Sequence, residues 1–188
     1  DAELVIGEYN KIYGVPKDIK IISKLRPNII EADTKDVNSL IRDEFESSLK
    51  RMGVDKLNGY LLHTPEYIYN QNILDALLNL KEEKMVENIG VSIYDLKEGE
   101  QAIKTGIIDY IQLPDSYLDQ RGIRTGFIKK AKEHGIKIFT RSAFLQGLVM
   151  MEKSRIPQYL APAICNIEKF ELITKEFNED IINAIIHF

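Results

Sequence analysis

The chain has 188 residues, 44% of them hydrophobic and 29% charged, with a formal net charge of −4. That composition suits a globular domain with room for a sizeable core, and its acidic balance excludes the overall basic field that nucleic-acid binding uses. The single cysteine, Cys165, excludes an intrachain disulfide, and no apolar run approaches the ~18 residues needed to span a bilayer.

The opening DAELVIGEYN is acidic and amphipathic, unlike a signal peptide, so a cytoplasmic protein is expected. Residues 2–13 place Leu4, Ile6, Tyr9, Ile12 and Tyr13 at helical spacing, and Gly14-Val15-Pro16 stops the helix. Ile19–Lys24 reads as a strand buried on both faces, and Leu25–Asp33 as a loop. Asp36–Met52 is a strong amphipathic helix, with Asp33 and Thr34 as candidate caps and Gly53 as its end. Tyr60–His63 is the second strand, Thr64–Tyr69 a loop, Ile73–Lys81 a helix and Asn88–Ser92 the third strand. Leu96–Thr105 is a helix closed by Gly106, and Ile107–Gln112 a strand ended by Pro114. Arg121–Glu133 is a helix, Ile136–Ser142 the fifth strand, residues 143–163 loop-rich and Glu168–Phe188 a last helix.

Crossovers of this length favour parallel strands. No GxGxxG or GxxxxGK[ST] occurs, which speaks against a doubly wound nucleotide fold. The expected fold is α/β, of the (β/α)8 barrel type but incomplete, with about five parallel strands and flanking helices. A closed barrel needs eight strands and usually about 250 residues. The whole chain, 1–188, reads as a single domain. It opens without Met in a helix and closes on IINAIIHF, so both ends look cut. In a parallel barrel the strand C-termini gather on one rim and build the active site. Here they carry Lys24, His63, Ser92, Gln112 and the pair Arg141/Ser142.

Six segments carry a resemblance. DEFESSLKRMGVDKLNGYLLHTP resembles the aldo-keto reductase pattern of a helix ending in SLKRL followed by a strand D-x-x-L-x-H. NIGVSIYD resembles that family's IGVSN, YIQLPDSYLDQR its IQVPYNLLDQR, IKIFTRSAFLQGLV its ARSxFLQGLL, and SKLRP the strand with the catalytic lysine. AELVIG is similar to the start of the helix after the family's catalytic tyrosine. The match is collinear over nearly the whole chain and corresponds to strands three to seven of the family barrel.

The resemblance implies an NADP(H)-linked reductase of a small aldehyde or ketone. Of the family's Asp, Tyr, Lys and His tetrad, the lysine falls on Lys24 and the histidine on His63; the aspartate and tyrosine belong to segments before residue 1. A hydride adds to the carbonyl carbon, and the oxygen then needs a proton or hydrogen bonds. An ammonium beside a tyrosine lowers its pKa from about 10 and so prepares that donor. The resemblance further implies that Ser92 and Gln112 bond the nicotinamide carboxamide. Arg141 would stack on its ring, where other branches place an aromatic. Ser142, Phe144, Gln146 and Gly147 would cover the pyrophosphate with backbone N–H groups. Ile93 stands where many members carry Asn, which removes one amide contact.

Each residue also has an ordinary structural reading. Lys24 can be a lysine reaching for solvent, His63 a satisfied structural histidine, Ser92 and Gln112 strand-end caps, Arg141 a surface ion pair, and the segment after it a plain turn. His63, His134, His187 and Cys165 have no metal-like spacing, so no metal site is expected. Two rival readings remain. One is a non-catalytic barrel fragment or pseudoenzyme acting through protein contacts, self-associating through open sheet edges. The other is a different barrel enzyme, such as a lyase using Lys24 as a Schiff-base amine.

Overall fold

The computed structural model describes residues 2–16, 18–31 and 33–188. The elements are α1 (Ala2–Tyr13), β1 (Ile22–Leu25), α2 (Val37–Met52), β2 (Gly59–Leu62), α3 (Gln71–Glu82), β3 (Ile89–Ser92) and α4 (Leu96–Thr105). They continue with β4 (Tyr110–Pro114), α5 (Arg121–Arg124), α6 (Phe127–Glu133), β5 (Lys137–Arg141), α7 (Ile164–Glu176) and α8 (Ile181–His187). The strands form one sheet in sequential order β1-β2-β3-β4-β5. The pairs from β1 to β4 are parallel. Lys137 N donating to Asp109 O at one end, and Asp115 N to Arg141 O at the other, run β5 the same way beside β4. A doubly wound sheet would reverse its strand order partway; this winding in one direction is the barrel type, incomplete at five strands.

The chain packs as two units, Asp1–Gln112 with Lys129–Phe139 and Leu113–Ile128 with Thr140–Phe188. In the first unit the helices cover one face of the sheet. α2 buries Ile41, Phe45, Ser48, Leu49 and Met52, a single helical stripe. Phe45 meets Tyr60 of β2 edge-on at 4.9 Å. Asp36, not Asp33 or Thr34, caps this helix by accepting from Ser39 N, and Gly53 ends it in the left-handed region. α4 starts on a reciprocal capping box between Asp95 and Glu98 and ends at Gly106, as its sequence predicts.

One expected boundary moves here. β1 begins at Ile22, because Ile21 N is held by the Asn58 side chain at 2.8 Å instead of by a strand partner. The apolar stripe of α1 faces outward: Ile12 is 71% and Tyr13 72% exposed. The helix packs on α2 through its polar and small positions. Asn10 Nδ2 donates to Met52 O at 2.9 Å, Arg51 Nε to Glu3 at 2.6 Å, and Gly7 lies against the Arg51 carbonyl.

In the second unit Leu148, Ile156 and Ile167 form a small core with Leu118, Leu145, Leu160 and Ile164 packed against it. The loop-rich stretch contains three short 3₁₀ turns. The expected last helix is two helices. Asn178 adopts φ 51°, which a short polar side chain tolerates, and Asp180 caps α8 by accepting from Ile182 N and Asn183 N. The Arg121–Glu133 helix is likewise split, at Gly126.

Candidate functional site

Side chains alternate across a strand, so the register decides which residues share a face. Lys24 pairs with Leu61, Leu61 with Gly90, and Gly90 with Tyr110. Two residues further on, Ser92 pairs with Gln112, on the same side. His63 follows Leu62, which pairs with Val91, and so extends that second row opposite Ser92. Four of the expected site residues therefore share the face turned away from α2. The other face carries Tyr60, Leu62, Val91 and Ile111, all fully buried.

Three of the four are joined directly. Lys24 Nζ donates to Gln112 Oε1 at 2.6 Å, and Ser92 Oγ donates to the same oxygen at 3.1 Å. Three strand spacings separate β1 from β4, ~14 Å in a flat sheet. A lysine and a glutamine span that gap only if the sheet curls and this face is concave. Behind the trio the ring of Tyr110 lies over Gly59 and meets Phe139 edge-on at 5.1 Å, so the concave face is a packed interior and not a pore. Burial, with the charges of Asp109 and Glu87, raises the Tyr110 phenol above its ordinary value.

Ser92 is only 2% exposed, whereas Lys24, His63 and Gln112 are half-buried, open enough to meet a ligand. Ile93 turns the other way. Its side chain is fully buried and its N–H donates to Gln112 O at 2.8 Å, which pins the β4 backbone where the amide leaves it.

The remaining expected residues lie in the second unit. Arg141 closes β5; its O accepts from Asp115 N at 3.1 Å and its guanidinium donates to Ser142 Oγ at 3.3 Å. Ser142, Leu145, Gln146 and Gly147 all have positive φ, at 64°, 46°, 56° and 91°. Left-handed residues at this density wind the chain into a tight loop, held by Leu145 N to Ser142 O and Gly147 N to Phe144 O. Non-glycine residues held in that region store backbone strain, a condition met most often at ligand-binding loops.

Two groups in this unit escape the sequence reading. Asp115 has a buried Oδ1 with no hydrogen-bond partner among the described residues, and burial, then the charge of Asp119, raises its carboxyl above the ordinary range. Its only signal in the sequence is an acid directly after the Leu-Pro that closes a strand. Tyr117 stacks flat on Phe170 at 4.0 Å beside a cleft of about 830 Å³ that Arg124, Lys169 and Phe188 also line. That stacking joins residues 53 positions apart and leaves no local signal. Among the described residues no cluster of His, Cys, Asp or Glu could hold a metal ion, and no helix is long and apolar enough to cross a membrane.

Comparison with known proteins agrees with this fold. The profile of the Aldo/keto reductase family matches residues 1–179. The NADH-specific methylglyoxal reductase of Escherichia coli (strain K12) is 30% identical over 113 residues, covering 58% of this chain and 34% of that protein. The glycerol dehydrogenase AKR11B4 from Gluconobacter oxydans superposes with a TM-score of 0.74 at 19% identity, over 98% of this chain and 63% of that one. The aldo-keto reductase AKR11C1 from Bacillus halodurans, in its holo form, superposes at 0.67 with 24% identity, over 83% and 52%. The chain thus spans about a third of the curated relative and between half and two-thirds of these solved structures. The collinear segments, the singly wound parallel sheet and the profile match converge: the chain belongs to the aldo/keto reductase family.

Proposed function

We propose that the chain forms part of a nicotinamide-dependent oxidoreductase site that reduces a small aldehyde or ketone. One observation carries the reading: Lys24, Ser92 and Gln112 are hydrogen-bonded together on one concave face, with His63 in the same row. When bound, the dinucleotide supplies the hydride. Gln112 and Ser92 hold its carboxamide. The family resemblance alone assigns the rest of the dinucleotide to Arg141, Ser142, Phe144, Gln146 and Gly147 of the second unit, through the guanidinium plane and backbone N–H groups. His63 hydrogen-bonds the substrate oxygen as charge develops on it, and the Lys24 ammonium supplies a positive field there. NADP(H) follows from the family resemblance, and the name of the Escherichia coli relative makes NADH the necessary comparison.

Fluorescence titration of the chain with NADPH and with NADH tests the reading. Saturable enhancement of the reduced nicotinamide emission, weakened in Gln112→Ala, is expected. No saturation with either dinucleotide defeats it.

A second reading, association with a second copy, is favoured by uncovered surface in the first unit. β1 is an edge strand, and beside it a groove of about 440 Å³ is lined by Val5, Ile6, Tyr9, Pro16, Ile19 and Ile22. An open edge beside apolar surface invites pairing. Light scattering after size exclusion reads it directly: a dimer dispersed by Ile19→Glu supports association, and a monomer at every concentration ends it.

A further inference from the structure

We propose that the cleft of the second unit, between α7 and the segment Tyr117–Arg124, is a binding site for a small aromatic acid. Its ring system packs on the stacked Tyr117–Phe170 pair, and its carboxylate is held by Arg124 and Lys169. None of the residues assigned above to the dinucleotide or to the carbonyl lines this cleft, so the proposal stands apart from the function proposed there.

The chain as a whole is acidic, with a net charge of −4, so a local surplus of positive charge departs from its own background. Asp119 is the one acid among the described residues that line the cleft, against Arg121, Arg124 and Lys169. Both oxygens of Asp119 are engaged: Oδ1 accepts from Arg121 Nε and Oδ2 from Arg121 Nη2, each at 2.8 Å. That two-pronged pair cancels one charge of each sign. Arg124 donates from Nε to a neutral group, Gln120 Oε1, at 3.3 Å, and has no ion pair among the described residues. The Lys169 ammonium has neither a hydrogen bond nor an ion pair among them. The nearby acids of α7 are turned to another partner: Glu168 and Glu171 pair with Lys153 at 3.6 and 2.7 Å. Two cations thus line the cleft with no carboxylate of the protein to answer them. The apolar half sets the shape of the ligand. Tyr117 and Phe170 lie 4.0 Å apart with 7° between their planes, and Ile173 follows Phe170 along the same helix. A flat ring system meets this wall with little conformational entropy to lose. The volume, about 830 Å³, falls within the roughly 300–1,000 Å³ of small-molecule sites. An inorganic anion leaves the aromatic wall unused, and a neutral aromatic leaves the cations unused. An aromatic acid uses both, with the guanidinium fork matched to a carboxylate and the ammonium adding a point charge.

The probe is 2-naphthoate, whose own fluorescence reports binding to a chain without tryptophan; 2-naphthylmethanol is its uncharged counterpart. Naphthoate is expected to saturate one site. The alcohol should bind about ten-fold more weakly, the effect of one charge-assisted hydrogen bond. Arg124→Gln combined with Lys169→Gln changes two exposed side chains. It should bring naphthoate down to the affinity of the alcohol and leave the alcohol where it was. Phe170→Leu should weaken both ligands; should that variant not fold, the exposed Ile173→Ser takes its place. Attachment of the ring to the uncovered apolar surface of α1 would survive the double change, and naphthoate affinity that survives it overturns the proposal. Equal affinity for acid and alcohol overturns it too, as does the absence of saturation at millimolar naphthoate. The double variant is expected to bind NADPH as the wild type does. A parallel loss of both ligands would make the cleft part of a dinucleotide site and overturn its assignment to an aromatic acid. Absence of dinucleotide binding by the wild-type protein falls on the proposed function alone, and the naphthoate series still decides this one.

Discussion

Gly90 and Tyr110 face each other across β3 and β4 with no room for a methyl group: a Cβ on Gly90 would lie 2.3 Å from the Tyr110 carbonyl oxygen and 2.9 Å from its Cβ. Because the nearest obstacle is backbone, no rotamer change relieves it. Gly90→Ala must push two strands apart beneath the row that holds Ser92 and Gln112, at a cost of about 2–3 kcal/mol. At Gly59 the obstacles are ring atoms of Tyr110 at 3.1 Å, which can shift, so Gly59→Ala is the milder change. Urea denaturation midpoints are expected to fall much further for Gly90→Ala, and equal losses at both positions would contradict this account.

Gly7 plays a comparable part between helices. A Cβ there would lie 1.9 Å from the Arg51 carbonyl oxygen, so α1 sits on α2 only because position 7 has no side chain. Gly7→Ala should lift α1 away, breaking the Asn10 bond to Met52 O and the Glu3–Arg51 ion pair. Hydrogen exchange separates local from global effects. Amides of α1 should lose about a hundred-fold in protection, equivalent to ~2.7 kcal/mol, while those of β2 and β3 keep most of theirs. Uniform loss across the unit would mean that α1 is no separate element of stability.

The same helix gives a pH dependence. Burial pushes the Glu3 carboxyl up, but hydrogen bonds from Ser23, Arg51 and Ser48, with the Arg51 charge, outweigh it and hold the group below its ordinary 4.5. A depressed carboxylate contributes stability that is complete above the unfolded value and lost as pH falls through the folded one. Protection of α1 amides, corrected for intrinsic exchange, should therefore be flat above about pH 5 and decline below 4.5. Glu3→Gln should be lower throughout and lack that acid decline. A decline of equal size in both proteins would place the titrating group elsewhere.

Much of this architecture is legible in the sequence because it depends on short-range rules. α4 is bounded by Asp95, Glu98 and Gly106, and a capping box and a left-handed terminator are local chemistry. That Lys24, Ser92 and Gln112 point the same way follows once the strands are in register, since the side-chain period is two. Their direct bonding is not legible. It requires the sheet to curl by the amount that brings β1 and β4 within reach, and curvature is a property of the assembled strands. The outward stripe of α1 is illegible for another reason. Periodicity shows that a helix has an apolar side, and nothing in it says whether that side is covered. The break before α8 hides because Ile173, Ile181, Ile182 and Ile185 continue a helix-like pattern across it, while the deciding features are one left-handed Asn178 and one capping Asp180.

Asp115 supplies the opposite pH signature to Glu3. Its Oδ1 is buried without a partner among the described residues, and burial, reinforced by the charge of Asp119, holds the carboxyl above its ordinary 3.8. A group that gives up its proton less readily when folded than when unfolded costs stability as pH rises through the folded value. The protonated acid, by contrast, sits in that site without a charge to desolvate. Asp115→Asn removes the charge and keeps the shape. The substitution should therefore raise the melting temperature at pH 7 to 8, by an amount that shrinks as the acid limb is approached and vanishes below about pH 3.8, where both states of the wild type carry the proton. Thermal melts followed by circular dichroism across that range measure the difference directly. A gain that persists unchanged into acid would mean that the amide's hydrogen bonds, not the lost charge, stabilise the variant, and a loss at neutral pH would mean that the carboxylate is held by a favourable partner.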